Sequence, residues 1–325
     1  MKEINFCNIN GINLGHCEDL NAATGCTVIL TKEGASCGVD VRGGAPGTRE
    51  TDLLDPCEMI QKVHGVVLSG GSAYGLDSCS GVMKYLEEKN IGFKVGSSIV
   101  PIVCGAVIFD LEIGDANIRP DIEMGYSACL NSEKYNEDIQ GNIGAGCGAT
   151  VGKILGPTSC MKGGFGSYAI NLNGLEVGAC VVVNAMGDIV CPETGEVIAG
   201  PIKDSKILNT EEIMISSFSL ENTFKGNTTI ACIVTNANLN KAQCKKISSM
   251  SHNAYARSIF PCHTMFDGDT IFTLSTGNIN ADINLIGVLA RKCLEKAIIK
   301  GVKSANMLHN VPSYNEIKNI SFPRK

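Results

Sequence analysis

Apolar positions in this chain fall mostly into short runs between glycines and polar turns rather than into long helical stripes. Runs at residues 25–30, 65–68, 101–109, 177–183 and 230–234 have the length and the β-branched content of buried strands. Residues 4–14 read as a further strand joined to 25–30 by turns, 38–41 as a strand that gives way to a glycine-rich loop, and 271–274 as another. Helical spacing is clear in three places. One helix follows the Gly70-Gly71 turn with Val82, Tyr85 and Leu86 on its apolar face, and a second covers residues 124–130. The third runs over residues 240–259, with an N-cap at Asn240 and Ala242, Ile247, Met250, Ala254 and Ile259 on one side. His252, on that helix, reads as a packing or surface residue. Residues 133–140 are charged and read as a solvated loop. Residues 192–225 lose periodicity, and irregular stretches of that length in compact proteins tend to be functional or mobile.

Composition narrows the class. At 325 residues the chain exceeds the roughly 250 to 300 residues of a single core, which fits one large domain or two packed halves. Hydrophobic residues make up 44% and glycines number 37, the profile of a compact enzyme-like globule with many tight turns. A net charge of -6, with no Lys/Arg cluster among aromatics, offers nucleic acid no surface. No apolar run approaches the roughly 20 residues of a membrane span, so no membrane partner is expected. The sixteen cysteines are scattered through apolar runs, where Cys acts as a small hydrophobe, and no spacing resembles a metal site. With no basic and apolar leader at residues 1–10, the cytoplasm is the expected location, and neither metal nor organic cofactor is expected.

The candidate chemistry centres on Gly226-Asn227-Thr228-Thr229, ahead of the run at 230–234. Asn-Thr-Thr is what opens an ordinary strand, but it also suits a chain that cuts itself. A cut between Asn227 and Thr228 would leave a threonine whose own α-amine, a group that ordinarily titrates at about 7.7 to 8.0, serves as general base to its hydroxyl. Elsewhere, Arg42 and Arg49 on the loop after 38–41 are candidates to hold a carboxylate, against the ordinary ion pairs that loop arginines make. The turn Gly70-Gly71 offers backbone amides to an anion or oxyanion, with Tyr74 placed to reach a pocket; close strand-to-helix packing explains the same glycines. The block is neither a P-loop nor a dinucleotide fingerprint. Lys153 and Lys162 sit amid glycines, where a lysine can stabilise developing negative charge. Asn184 ends a buried strand, and its amide is a suitable oxyanion donor. Asp267 and Asp269 flank a glycine and could orient an ammonium.

The phrases GVDVRGGAPGTRETDLL (38–54), VHGVVLSGGSAYGLD (63–77), GFKVGSSIVPIVCGAVIFDL (92–111), GNIGAGCGATVGK (141–153), VVVNAMGD (181–188), GNTTIACIVTNA (226–237) and HTMFDGDTIF (263–272) together resemble the DmpA-type peptidase family. That family includes D-aminopeptidases, β-peptidyl aminopeptidases and a nylon-oligomer hydrolase, and the resemblance covers nearly the whole chain. It implies an α+β fold, a four-layer αββα sandwich shared with ornithine acetyltransferase. It implies a single catalytic domain over 1–325, autocleaved between Asn227 and Thr228 into an α subunit of 1–227 and a β subunit of 228–325. Thr228 is then the nucleophile and Asn184 the oxyanion-stabilising asparagine. Asp267 and Asp269 resemble the pair that holds the N-terminal amine and a catalytic lysine, which is Lys153 or, as the alternative, Lys162. Gly70, Gly71, Tyr74 and Arg42 are the expected substrate-binding residues. The implied activity is hydrolysis of amide bonds in short peptides, amino-acid amides or oligomers through an acyl-enzyme. The alternative is an acyltransferase of the ornithine acetyltransferase kind, passing the acyl group to an amine. The resemblance also implies a homo-oligomer, a tetramer or larger, of αβ units.

Overall fold

The computed structural model describes residues 1–134, 137–204, 206–217 and 226–318. Ten strands form one continuous ladder: β1 (Lys2–Ile4), β2 (Asn13–Asp19), β3 (Thr24–Val41), β4 (Thr48–Arg49), β5 (Val63–Ser69), β6 (Val103–Val107), β7 (Gly164–Leu172), β8 (Leu175–Asn184), β9 (Thr228–Ala237) and β10 (Thr270–Ile279). Their order is β1-β7-β8-β9-β10-β3-β5-β6-β4, with β2 also paired to β3. The 18-residue β3 belongs to two sheets. Its residues 36–41 pair with β10, while residues 24–30 pair with β2 and β5. The β3–β5 register shifts between Leu30 and Ala35, where the strand passes from one sheet to the other. The separate strands expected at 25–30 and 38–41 are thus the two ends of one.

Four helices cover the outer faces: α1 (Ser78–Glu88), α2 (Ile122–Asn131), α3 (Lys241–Ser258) and α4 (Ile283–Lys303). Side chains alternate across a strand, and the apolar runs fill two layers at once because both faces are covered. All ten residues of β9 are buried. Its Ile230, Cys232 and Val234 join Cys180, Val182, Phe272 and Leu274 against Ile29, Val66 and Leu68 between the sheets. Its Ala231 and Ile233 lie with Val177, Ala179, Val181 and Val183 under Ile247 and Ala254 of α3 and Leu294 and Ala297 of α4. On the far side Val28, Leu30, Val67 and Val103 meet Val82, Tyr85 and Leu86 of α1 and Ala128 and Cys129 of α2. The layers are helix, sheet, sheet, helix, the expected αββα sandwich.

The expected cap of α3 is present. The Asn240 side chain accepts from the Gln243 N–H and the Gln243 side chain accepts from the Asn240 N–H, a reciprocal capping box. His252 is buried, with Nε2 3.0 Å from the Asp40 carbonyl, so it packs. Of the loop at 133–140, residues 135–136 lie outside the described residues. Its Asp138 carboxylate accepts the N–H groups of Phe6 (2.7 Å) and Cys7 (3.2 Å), so this part ties down the N-terminal segment instead of being simply solvated. The stretch 192–225 holds short strands at Val197–Ala199, Ile202–Lys203 and Lys206–Ile207 and a helix at Thr210–Ser216; residues 205 and 218–225 lie outside the described residues. Among the described residues no helix is long and apolar enough to cross a membrane.

Candidate active site

Thr228 is the first residue of β9, at the point where β8 ends and a tight turn leads into β10. It stands opposite Asn184, the last residue of β8, and Asn227 bridges to Asp267. The Gly268 N–H lies 3.1 Å from the Asn227 carbonyl oxygen and 3.1 Å from Thr228 Oγ1. The Thr228 hydroxyl also contacts the Asn227 carbonyl oxygen. A hydroxyl, the carbonyl that precedes it and a backbone donor therefore share one small space. Gly268 permits this approach, since a Cβ there would lie 2.7 Å from Thr228 Oγ1 and 2.9 Å from the Ala45 carbonyl oxygen.

Lys153 enters from the glycine-rich block and is buried. Its Nζ donates to Asn184 Oδ1 (2.9 Å), the Asn184 carbonyl (3.1 Å) and the Gly226 carbonyl (3.4 Å). Asn184 Oδ1 also accepts the Thr150 N–H at 2.9 Å, which leaves Nδ2 as the donor, 3.0 Å from the Phe109 carbonyl. Burial disfavours the ammonium and brings the Lys153 pKa down to about 8. Burial does the same to Lys162. The Lys162 amine, however, is engaged with the carbonyls of Cys147 (2.7 Å) and Ala149 (2.6 Å). Of the two lysines, the one beside Gly226 and Asn184 is Lys153.

The two acids of the turn are buried as well. Asp267 Oδ2 accepts from Thr264 N–H (2.8 Å) and Oγ1 (2.6 Å); burial, followed by the neighbouring Asp269 charge, raises its pKa to about 6. Asp269 Oδ1 accepts the Thr229 N–H at 2.8 Å, immediately after the threonine at the head of β9. Its Oδ2 accepts the His263 N–H (3.0 Å) and lies 2.8 Å from His263 Nδ1. Burial alone would lower the His263 pKa, but the Asp269 hydrogen bond and charge carry it up to about 9.

A cleft of about 130 Å³ opens beside Thr228, walled by Ala45, Pro46, Gly47, Ser72, Ala73, Phe109 and Phe266. Phe109 and Gly226 also line a cavity of about 20 Å³ that holds Lys153, Asp110, Glu112 and Cys160. The expected substrate-binding set needs correction. The Gly70 N–H donates to the Gly25 carbonyl (2.9 Å) and the Gly71 N–H to Asp110 Oδ1 (2.6 Å), so neither amide is turned to Thr228. The anion that this turn holds is the chain's own Asp110, which also accepts from Thr24 Oγ1 at 2.7 Å. Gly70 makes room for it, since a Cβ would lie 2.1 Å from Asp110 Oδ2. Tyr74 is 63% exposed and stacks under Arg119 at 4.0 Å, while its neighbours Ser72 and Ala73 face the cleft instead. Arg42 pairs with Asp40 at 3.0 Å and with Ser249 of α3, and Arg49 bonds Ser80 on α1, so both make ordinary contacts. His263, Thr264, Gly268 and Asp110 are the site residues that sequence reasoning did not single out. The first three lie in the HTMFDGD phrase itself.

The αββα sandwich thus places Thr228 at the head of a central, fully buried strand. Residues 5–313 match the family model of Peptidase family S58, and the chain belongs to that family. It is 39% identical to an uncharacterized aminopeptidase of Mycobacterium leprae (strain TN), with 94% of this chain and 92% of the relative covered. It is 27% identical to a 6-aminohexanoate-oligomer endohydrolase of Kocuria sp. (strain KY2), over 90% of this chain and 84% of that one. The structure of an L-aminopeptidase D-Ala-esterase/amidase from Ochrobactrum anthropi, a variant of the Ntn hydrolase fold, superposes with a TM-score of 0.71 over 97% of this chain and 92% of that one. At 14% identity that likeness shows the shared fold. The chain is accordingly a hydrolase of amide or peptide bonds.

Proposed function

We propose that the chain cleaves itself between Asn227 and Thr228 and that the freed Thr228 is the nucleophile for amide hydrolysis. The observation that carries this reading is the triangle of Thr228 Oγ1, the Asn227 carbonyl and the Gly268 N–H. In processing, Oγ adds to the Asn227 carbonyl carbon while the Gly268 N–H bonds the oxyanion. The Asn227–Thr228 C–N bond breaks as the C–O ester forms, and the hydroxyl proton ends on the new amine. Water then hydrolyses the ester, which leaves a carboxylate on Asn227 and a free α-amine on Thr228.

In turnover the α-amine takes the hydroxyl proton as Oγ attacks the substrate carbonyl. The Gly268 N–H and Asn184 Nδ2 are the candidate oxyanion donors, and Lys153 holds Asn184 in place through its Oδ1. The departing amine takes the proton, and water releases the acid from the ester. The cleft walls carry no charged side chain and combine small residues (Ala45, Gly47, Ser72, Ala73) with Phe109 and Phe266, which favours a slender, largely apolar acyl chain such as that of a short peptide or an ω-amino-acid oligomer. The names of the M. leprae and Kocuria relatives, an aminopeptidase and an oligomer endohydrolase, fall in the same range. Sixteen unpaired cysteines support a reducing compartment such as the cytoplasm. Intact mass spectrometry under denaturing conditions tests the core of the proposal: two fragments that meet between Asn227 and Thr228 are expected, and Thr228→Ala is expected to yield one uncut chain without amidase activity. Processing or hydrolysis by Thr228→Ala would overturn it.

A further inference from the structure

His263 is absent from the catalytic scheme above, yet it makes the closest side-chain contact to Asp269. Its backbone sits in the left-handed region (φ +59°), uncommon for any residue with a Cβ. That conformation lets the backbone N–H and ring Nδ1 of one residue reach the same carboxylate oxygen, at 3.0 and 2.8 Å. The opposite oxygen of Asp269 receives the Thr229 N–H at 2.8 Å. Asp269 is thereby fixed between His263 and the first peptide of β9.

The surroundings leave His263 as the cation of this corner. From α3, the His252 ring packs edge-on at 4.8 Å between centroids and Tyr255 lies at 6.0 Å. His252 Nε2 faces the Asp40 carbonyl, which can only accept, so that nitrogen carries the proton; burial drives the His252 pKa down to about 4 and the ring is neutral. Tyr255 is buried and protonated. Asp40 of β3 is paired with Arg42. Asp267 and Cys262 complete the set, and Asp267 bonds Thr264.

We propose that His263 is a positioning residue for the reaction described above: its imidazolium clamps Asp269 and holds that carboxylate at the head of β9 where the α-amine of Thr228 appears. Without that cation only negative charge remains beside Asp267, whose pKa burial and the Asp269 charge already raise to about 6, so Asp267 keeps its proton to higher pH and is a weaker partner for the protonated amine. This inference rests on the proposed N-terminal-nucleophile chemistry, so two measurements are paired. In the His263→Gln variant, which keeps a neutral donor, the acid limb of the kcat/KM profile against pH is expected to move up by about one unit. Superimposable profiles for wild type and His263→Gln would overturn the inference. The second measurement is 15N NMR of histidine in the Thr228→Ala protein, which needs no activity. There His263 is expected to stay protonated above pH 8 and, after Asp269→Asn, to lose its proton below pH 7; titration near 6.5 in both proteins would overturn the clamp. A wild type that neither cuts itself nor hydrolyses amides sinks the function itself, whereas an active wild type with unshifted His263 behaviour sinks this inference alone.

Discussion

Gly268 shows how much of this site depends on single atoms. Its φ is not in the left-handed region, so alanine suits the backbone there, and the obstacle is space: the added Cβ would lie 2.7 Å from Thr228 Oγ1. The methyl must push the hydroxyl away from both the Gly268 N–H and the Asn227 carbonyl. Loss of one oxyanion donor typically costs roughly 10²- to 10³-fold in rate. Gly268→Ala is therefore expected to slow self-cleavage about 10²-fold, read as the fraction of uncut chain against time by mass spectrometry, while circular dichroism stays that of the wild type. Cutting at the wild-type rate would remove Gly268 from the processing step. At this scale the residues that the sequence marks by type and motif, Thr228, Asn184, Lys153, Asp267 and Asp269, do converge at one place. Arg42, Tyr74 and the Gly70-Gly71 amides do not. Their direction depends on partners far along the chain: Ser249 for Arg42, Arg119 for Tyr74 and Asp110 for the turn. No local pattern reports which way a loop side chain points.

Among the elements, legibility follows how locally each is determined. The start of α3 is encoded within four residues, and the N-cap expected at Asn240 forms, completed by Gln243 into a reciprocal box. Asn240→Ala is expected to cost about 1 kcal/mol, visible as a lower denaturant midpoint with unchanged processing. An unchanged midpoint would mean that the Gln243 half of the box and solvent suffice. The 21-residue α4 carries an equally regular signal, with an Asp282 cap and buried Ile286, Leu289, Ala290, Cys293, Leu294, Ala297 and Ile298 at helical spacing. That pattern is legible in the sequence, yet α4 is missing from the expectations, which stop at the strand before it. β3 is the opposite case. Nothing in residues 31–37 announces that two apparent strands are continuous, because the continuity is imposed by β10 on one sheet and by β2 and β5 on the other. The strand runs without amphipathic alternation have the same origin, since each apolar strand serves two layers.

In the whole molecule, the proposed cut falls inside a closely interleaved architecture. Residues 1–227 supply β1 to β8 with α1 and α2, and residues 228–325 supply β9, β10, α3 and α4. The second set does not form its own layer. β9 and β10 lie side by side in the ladder between β8 and β3, so each fragment is hydrogen-bonded to the other along two seams, residues 177–184 against 228–235 and residues 36–41 against 270–275. The core between the sheets mixes Ile230, Cys232, Val234, Phe272 and Leu274 with Ile29, Val66, Leu68 and Val182. Separation would open that core and two rows of backbone donors and acceptors, each costly to leave unpaired. The cut protein is therefore expected to migrate as one particle in native size exclusion and to melt in one transition, with the two fragments resolved only in denaturant. The cut itself opens no seam, because Thr228 is at the very start of β9, and the ladder from Thr228 to Thr235 survives it. Fragments that part on a native column would show that the 228–325 piece is held more loosely than its place in the sheet requires, and the assignment of the cut to the head of β9 would have to move.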